Sequence, residues 1–164
     1  MAALAQSKPI SAAALESAEH LFIHIEDVEL QLIEFMRQAT LKMSHPYPNF
    51  CFRSVVTLEK NLATVSEIAI DLISRTPSQC KIGLVCDYDH RDGYTGAEIA
   101  RDILHKLRAR GIERPIKSAA FSGRANDGDV LQSWLNLGST FDKTKLENDP
   151  TVITPKMLRY LFSE

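Results

Sequence analysis

Four separated stretches of the chain each end in a side chain that can bind or transfer charge. Glu26 and Asp27 follow the apolar run 21–25, Asp87 follows the apolar run 82–86, Ser122 follows 115–121, and Lys143 follows 139–142. If those runs are strands of one sheet, three acids, a hydroxyl and an ammonium group meet at one edge. Two carboxylates 4 Å apart repel by about 4 kcal/mol at an effective dielectric of about 20. A hard divalent cation relieves that repulsion, and Mg2+ favours a few carboxylates together with waters and phosphate oxygens. The same ion neutralises charge on a phosphoryl group in transfer, and a carboxylate is a competent phosphoryl acceptor. In that chemistry Asp87 is the nucleophile. Lys143 holds a phosphate oxygen as a point charge, and Ser122 donates a hydrogen bond to another.

The elements that must position these groups follow from periodicity. Strands are expected at 21–25, 50–56, 82–86, 115–121 and 139–142; the run 82–86, apolar but for Gly83, has the pattern of a strand buried on both faces. Helices are expected between them. Leu30, Leu32, Ile33, Met36 and Leu41 recur at helical spacing within 28–43. Residues 65–73 cluster Ile68, Ile70, Leu72 and Ile73, and 95–110 carries Ile99, Ile103, Leu104 and Leu107, with Gly111 as its stop. Residues 127–137 carry Val130, Leu131, Trp134 and Leu135, read as core. Thr154 and Pro155 read as N-cap and first residue of a last helix that runs to about 162. Residues 1–10 read as a loose tail, and 11–19 as a helical turn or two capped by Ser11, so 1–20 is set apart from one domain at 21–164. Five strands alternating with five helices imply a parallel sheet covered on both faces. Such sheets bind ligands outside the C-terminal ends of their strands.

Composition narrows the partners. The 164 residues are 45% hydrophobic and 24% charged with a net charge of -2, an ordinary globular balance with no overall attraction for nucleic acid or acidic membranes. The basic stretch 101–114 reads as a solvated helix surface. No run approaches the roughly 20 apolar residues of a membrane span, and the first twenty residues lack the form of a secretory signal. The three cysteines, Cys51, Cys80 and Cys86, have no zinc-site spacing and suit a reduced, cytoplasmic protein. Cys86 reads as a small buried hydrophobe, His24 as a core or edge histidine, and His90 as an exposed loop residue.

The order and placement of these groups resemble the receiver (response regulator) domain of two-component signalling systems, over about 21–163. The matching pieces are the acidic pair in IHIEDVELQLIEFM, Asp87 in IGLVCDYDHRDGYTGAEIA, Ser122 in AAFSG and Lys143 in STFDKT. The resemblance implies an α/β, flavodoxin-like (βα)5 three-layer sandwich with a parallel sheet in the order 2-1-3-4-5. It implies phosphorylation on Asp87, with Mg2+ held by Asp27, Asp87 and the backbone carbonyl of Asp89, and with Glu26 acting through water. Asp89, read as paired with Arg124, would influence hydrolysis of the phosphoryl group. The phosphodonor would be a histidine kinase or a phosphotransfer protein. The output would be a phosphorylation-dependent interaction with a downstream protein, and dimerisation is left open. Catalysis would extend at most to self-phosphorylation from small donors and self-dephosphorylation. No DNA-binding region follows within these residues, so the domain acts alone or belongs to a larger protein.

The chain departs from the family in places. Thr144 stands where a proline usually follows the lysine, and a cis bond before a non-proline costs about 3–4 kcal/mol. Thr95-Gly96 stands, one residue late, for the Asp-Gly after the acceptor; the usual Met-Pro is absent, and Phe141 precedes the lysine by two residues rather than three. Two alternatives therefore remain. Asp87-Tyr88-Asp89 also resembles the Asp-x-Asp of haloacid-dehalogenase-type phosphatases, although their nucleophile normally lies near the N-terminus. A pseudo-receiver, with the fold and no phosphorylation, is the other.

Overall fold

The apolar runs pair edge to edge as β1 (His20–Glu26), β2 (Phe50–Val56), β3 (Lys81–Asp87), β4 (Ile116–Ser122) and β5 (Gly138–Asp142). All four pairings are parallel, and the order is β2-β1-β3-β4-β5, the expected 2-1-3-4-5. The computed structural model describes residues 14–27, 30–88, 93–123, 125–142 and 150–163. Every residue of β1, and every residue of β3 after Lys81, is buried, because helices cover both faces; this is why their sequences run apolar without alternation. The edge strand β5 is half-buried throughout.

The helices are α1 (Leu30–Lys42), α2 (Leu62–Ser74), α3 (Gly96–Ala109), α4 (Gly128–Ser133) and α5 (Pro150–Phe162). On one face of the sheet, Val65, Ala69 and Ile73 of α2 and Ile99, Ile103 and Leu107 of α3 pack on Leu21, Ile23 and Leu84. On the other face, Met36 of α1 and Met157 and Leu161 of α5 pack on Phe22, Val85 and Phe121. Three layers result. The buried side chains of each strand divide by alternation between the two cores.

Helix starts follow local chemistry. The Asn61 side chain accepts from the Thr64 amide, so α2 begins three residues before the first apolar residue of its expected span. Thr95 and Glu98 form a reciprocal capping box at the start of α3. Gly111, at φ 71°, supplies the left-handed residue beyond the end of α3.

Two expectations are corrected. The last helix begins at Pro150, not at Thr154, and Pro155 lies inside it. Ile153, Met157 and Leu161 are all buried at four-residue spacing, so the apolar stripe carries the helix one turn upstream despite the hydrogen bond that proline forfeits. Helix α4 stops at Ser133 rather than 137. Val130 of the helix and Trp134 at its C-cap turn inward, and Leu131 and Leu135, each one position further along, remain 46% and 70% exposed. Trp134 is core as expected; the two leucines are not. Near the N-terminus, within the stretch expected to hold a helical turn or two, the described residues form a 3-10 turn, Leu15–Ser17, and Leu15 and Ala18 join the core. Ser11 and the tail before it lie outside the described residues.

Glycine is required where α3 starts. A Cβ on Gly96 would sit 2.3 Å from the backbone oxygen of Asp87 and 3.1 Å from Cβ of Cys86, while the Gly96 amide donates to the Tyr88 carbonyl at 2.7 Å. Helix and strand end are thus in direct backbone contact. Gly96→Ala is expected to cost at least about 1–3 kcal/mol through overpacking, measured by urea unfolding. Gly128→Ala, whose Cβ meets nothing within 4 Å, is expected to change stability by no more than about 1 kcal/mol; equal effects would refute the contact.

All three cysteines are free and buried. Burial pushes the Cys80 thiol up to about 11 and raises Cys51. Cys86 is raised further, by burial first and then by the neighbouring Asp87 charge. Raised thiol values leave little thiolate at pH 8. Native protein should therefore react with a thiol reagent far more slowly than urea-unfolded protein at that pH, in which all three react; fast labelling of Cys86 in native protein would contradict this burial.

Candidate functional site

The parallel register builds the site. Ile25 pairs with Cys86, so the next residues of β1 and β3, Glu26 and Asp87, emerge together at the C-terminal rim. Asp87 is level with Phe121 and Ser122 with Asp142, which carries the rim across β4 and β5. Among the described residues expected just after the strands, Glu26, Asp87 and Ser122 prove to be the last residues of β1, β3 and β4, and Asp27 follows β1. Their backbones are thereby fixed by the sheet: the Thr57 amide, just past β2, donates to the Glu26 carbonyl at 2.9 Å.

Ligand oxygens of Glu26, Asp27 and Asp87 all lie within 4.8 Å of one another. Glu26 is fully buried, Asp87 is 7% exposed and Asp27 9%, so the cluster is largely withdrawn from water. Three charges this close repel by at least about 3 kcal/mol per pair at an effective dielectric of about 20. The donor set suits a hard cation: all oxygen and all anionic. Mg2+ holds its oxygens at about 2.1 Å, so these three fit it after a small closure or with one of them acting through water. Among the described residues, the cluster includes no nitrogen or sulfur donor of the kind that favours zinc.

Backbone amides hold two of the carboxylates. The Tyr88 amide donates to Oδ1 of Asp87 at 3.1 Å, and the Asp27 amide donates to Oε2 of Glu26 at 3.3 Å. Ser122 is buried at the end of β4. The structure thus brings together Glu26, Asp27 and Asp87, and places Ser122 on the same rim. Lys143 and Asp89, with His90, Arg124 and Thr144, lie outside the described residues.

Three further residues stand near the acidic rim or the loops around it, and their contacts are not evident from residue type alone. His24, taken as a core or edge histidine, is indeed fully buried, and its Nε2 lies 3.6 Å from Oε1 of Glu26. The two-residue spacing, which puts both side chains on one face of a strand, was the available signal. The Tyr88 hydroxyl lies 3.0 Å from the Ser133 hydroxyl on α4, tying the residue after Asp87 to that helix. Tyr94 donates its hydroxyl proton to the Lys60 carbonyl at 2.7 Å, closing the loop after β2 over the start of α3. Neither tyrosine contact has a spacing signal, because each joins distant parts of the chain.

No protein-family model matches the sequence, and no curated protein matches it. Among solved structures, the fold is similar to the receiver domain of the histidine kinase CKI1 from Arabidopsis thaliana, crystallised in complex with Mg2+ and BeF3-. The similarity has a TM-score of 0.52 at 12% identity and covers 83% of this chain and 88% of that one. That likeness, joined to the observed strand order, gives this chain the fold of a two-component receiver domain.

Proposed function

We propose that the chain is a phosphoacceptor receiver domain that takes a phosphoryl group on Asp87. The observation that carries the reading is the convergence of Glu26, Asp27 and Asp87 within 4.8 Å at the strand ends. A phosphohistidine on a histidine kinase or phosphotransfer protein is the natural donor. An Asp87 carboxylate oxygen attacks phosphorus, the P–N bond breaks, and the imidazole leaves with its electron pair and takes up a proton. Glu26, Asp27 and Asp87 would hold Mg2+, with the Asp89 carbonyl as a further ligand on the strength of the family resemblance. The ion supplies charge neutralisation to the phosphoryl oxygens. Ser122 would donate its hydroxyl proton to one phosphoryl oxygen, and Lys143 would pair with another. The protein in the similar crystal structure is itself complexed with Mg2+ and BeF3-, which supports the same pairing of ion and anion here.

The output would be a protein partner that distinguishes the phosphorylated form. The Tyr88–Ser133 contact offers a path from the acceptor to α4, on which Leu131 is exposed, with Leu135 exposed just beyond its end. No described helix is long and apolar enough to cross a membrane, and three free thiols suit the reducing cytoplasm in which such donors act. The phosphatase reading loses ground to the strand order and to the position of Asp87 on the third strand.

Incubation with Mg2+ and acetyl phosphate should raise the intact mass by one phosphoryl group in wild type and not in Asp87→Asn. An unlabelled wild type, under conditions that label an ordinary receiver, would favour a pseudo-receiver. Asp27→Asn should raise the Mg2+ concentration needed for half-maximal labelling by about tenfold or more. An unchanged Mg2+ requirement would remove Asp27 from the ligand set.

A further inference from the structure

A buried histidine sits directly beneath the acidic rim, where the packing alone would suit an aromatic or aliphatic residue. His24 occupies the middle of β1, on the same face as Phe22 and Glu26. Its ring lies between Phe52 and Phe121, with centroids at 6.4 and 6.2 Å, and none of it reaches solvent. Burying a polar ring among aromatics is unfavourable unless it meets a polar partner. Among the described residues a partner in reach is Glu26, whose Oε1 is 3.6 Å from Nε2 of His24. That separation is within ion-pair range though longer than a hydrogen bond, and a small rotation of either side chain would close it.

Glu26 is thereby gripped from two sides. Its Oε1 faces the imidazole and its Oε2 accepts from the Asp27 amide. Both contacts bear on the plane of the carboxylate and with it on the edge Glu26 offers to the cation. Groups that orient a ligand in this way commonly contribute tenfold or more to metal affinity.

We infer that His24 is a positioning residue for the divalent-cation site: its ring, fixed by Phe52 and Phe121, holds the buried Glu26 carboxylate in the orientation that binds the ion. This rests on the Mg2+ site of the proposed function. It adds a member that touches neither the ion nor the phosphoryl group.

Calorimetric titration of the full chain with Mg2+ alone, without a phosphodonor, tests it. His24→Phe keeps a ring between the two phenylalanines and removes both nitrogens; its Mg2+ affinity should fall about tenfold. His24→Gln, which keeps an N–H in reach of Glu26, should recover most of that loss. In a Glu26→Gln background, His24→Phe should have little further effect, because its action runs through that carboxylate. Urea unfolding of each variant checks that it is folded, and His24→Met replaces His24→Phe if the phenylalanine variant is not. Wild-type binding that survives His24→Phe unchanged overturns the role of His24 and leaves the cation site standing. An equal loss in the Glu26→Gln background also overturns it, by showing a merely structural effect. Failure of the wild type to bind Mg2+ overturns both this inference and the site on which it rests.

Discussion

Repulsion among three carboxylates, buried at one rim of a sheet, is the constraint around which the structure is arranged. Left in water these groups would separate. Here β1 and β3 are adjacent and parallel, with Ile25 beside Cys86, and their register delivers Glu26 and Asp87 to the same height whatever the cost. That cost must be met by the apolar contacts that hold the strands in register. The two cores flanking the sheet, with Phe22, Val85 and Phe121 on one side and Ile23, Leu84 and Ile99 on the other, supply it. The acidic rim is in this sense a load placed on the sheet, and a bound cation would convert it into a favourable interaction.

The loops around the rim are fastened by contacts that serve this end. Gly96 lets the first turn of α3 press on the backbone of Asp87, and the Thr95–Glu98 capping box fixes where that turn begins. Tyr94 ties the start of α3 to the loop after β2. Tyr88 gives its amide to Asp87 and brings its hydroxyl to Ser133, and the Arg101 guanidinium donates to the Ser133 carbonyl. Asp87 therefore stands on backbone held by the sheet and by the start of α3, while the helix that shares its tether, α4, is short and presents Leu131 to solvent, with Leu135 exposed just beyond its end.

The strands were legible because burial on both faces leaves long apolar runs, and an acid that interrupts such a run marks a strand end. Glu26 and Asp87 could be placed on one rim by that rule alone. The start of α3 was legible too, since Thr95 and Glu98 carry a local capping signal. The start of α5 was not. Thr154 and Pro155 make a sound local cap, but the tertiary burial of Ile153 outweighed it, and nothing within a few residues of Pro155 announces that. The truncation of α4 was hidden for a related reason: Val130, Leu131, Trp134 and Leu135 fit one helical stripe in sequence, while the fold has room for only two of them.

His24 shows where reading by residue class stops. A histidine inside a strand is most often a satisfied part of the core, and His24 does belong to the core by burial. Its second character appears only when strand alternation is applied to polar residues as it is to apolar ones. Residues 22, 24 and 26 share a face, so an imidazole two positions before a buried carboxylate must point towards the same compartment. A polar pair on the inward face of a central strand is costly to keep, and that cost is itself the argument for looking at what the pair holds in place. Here it is the orientation of a carboxylate at the one edge of the sheet where three such groups must share a charge.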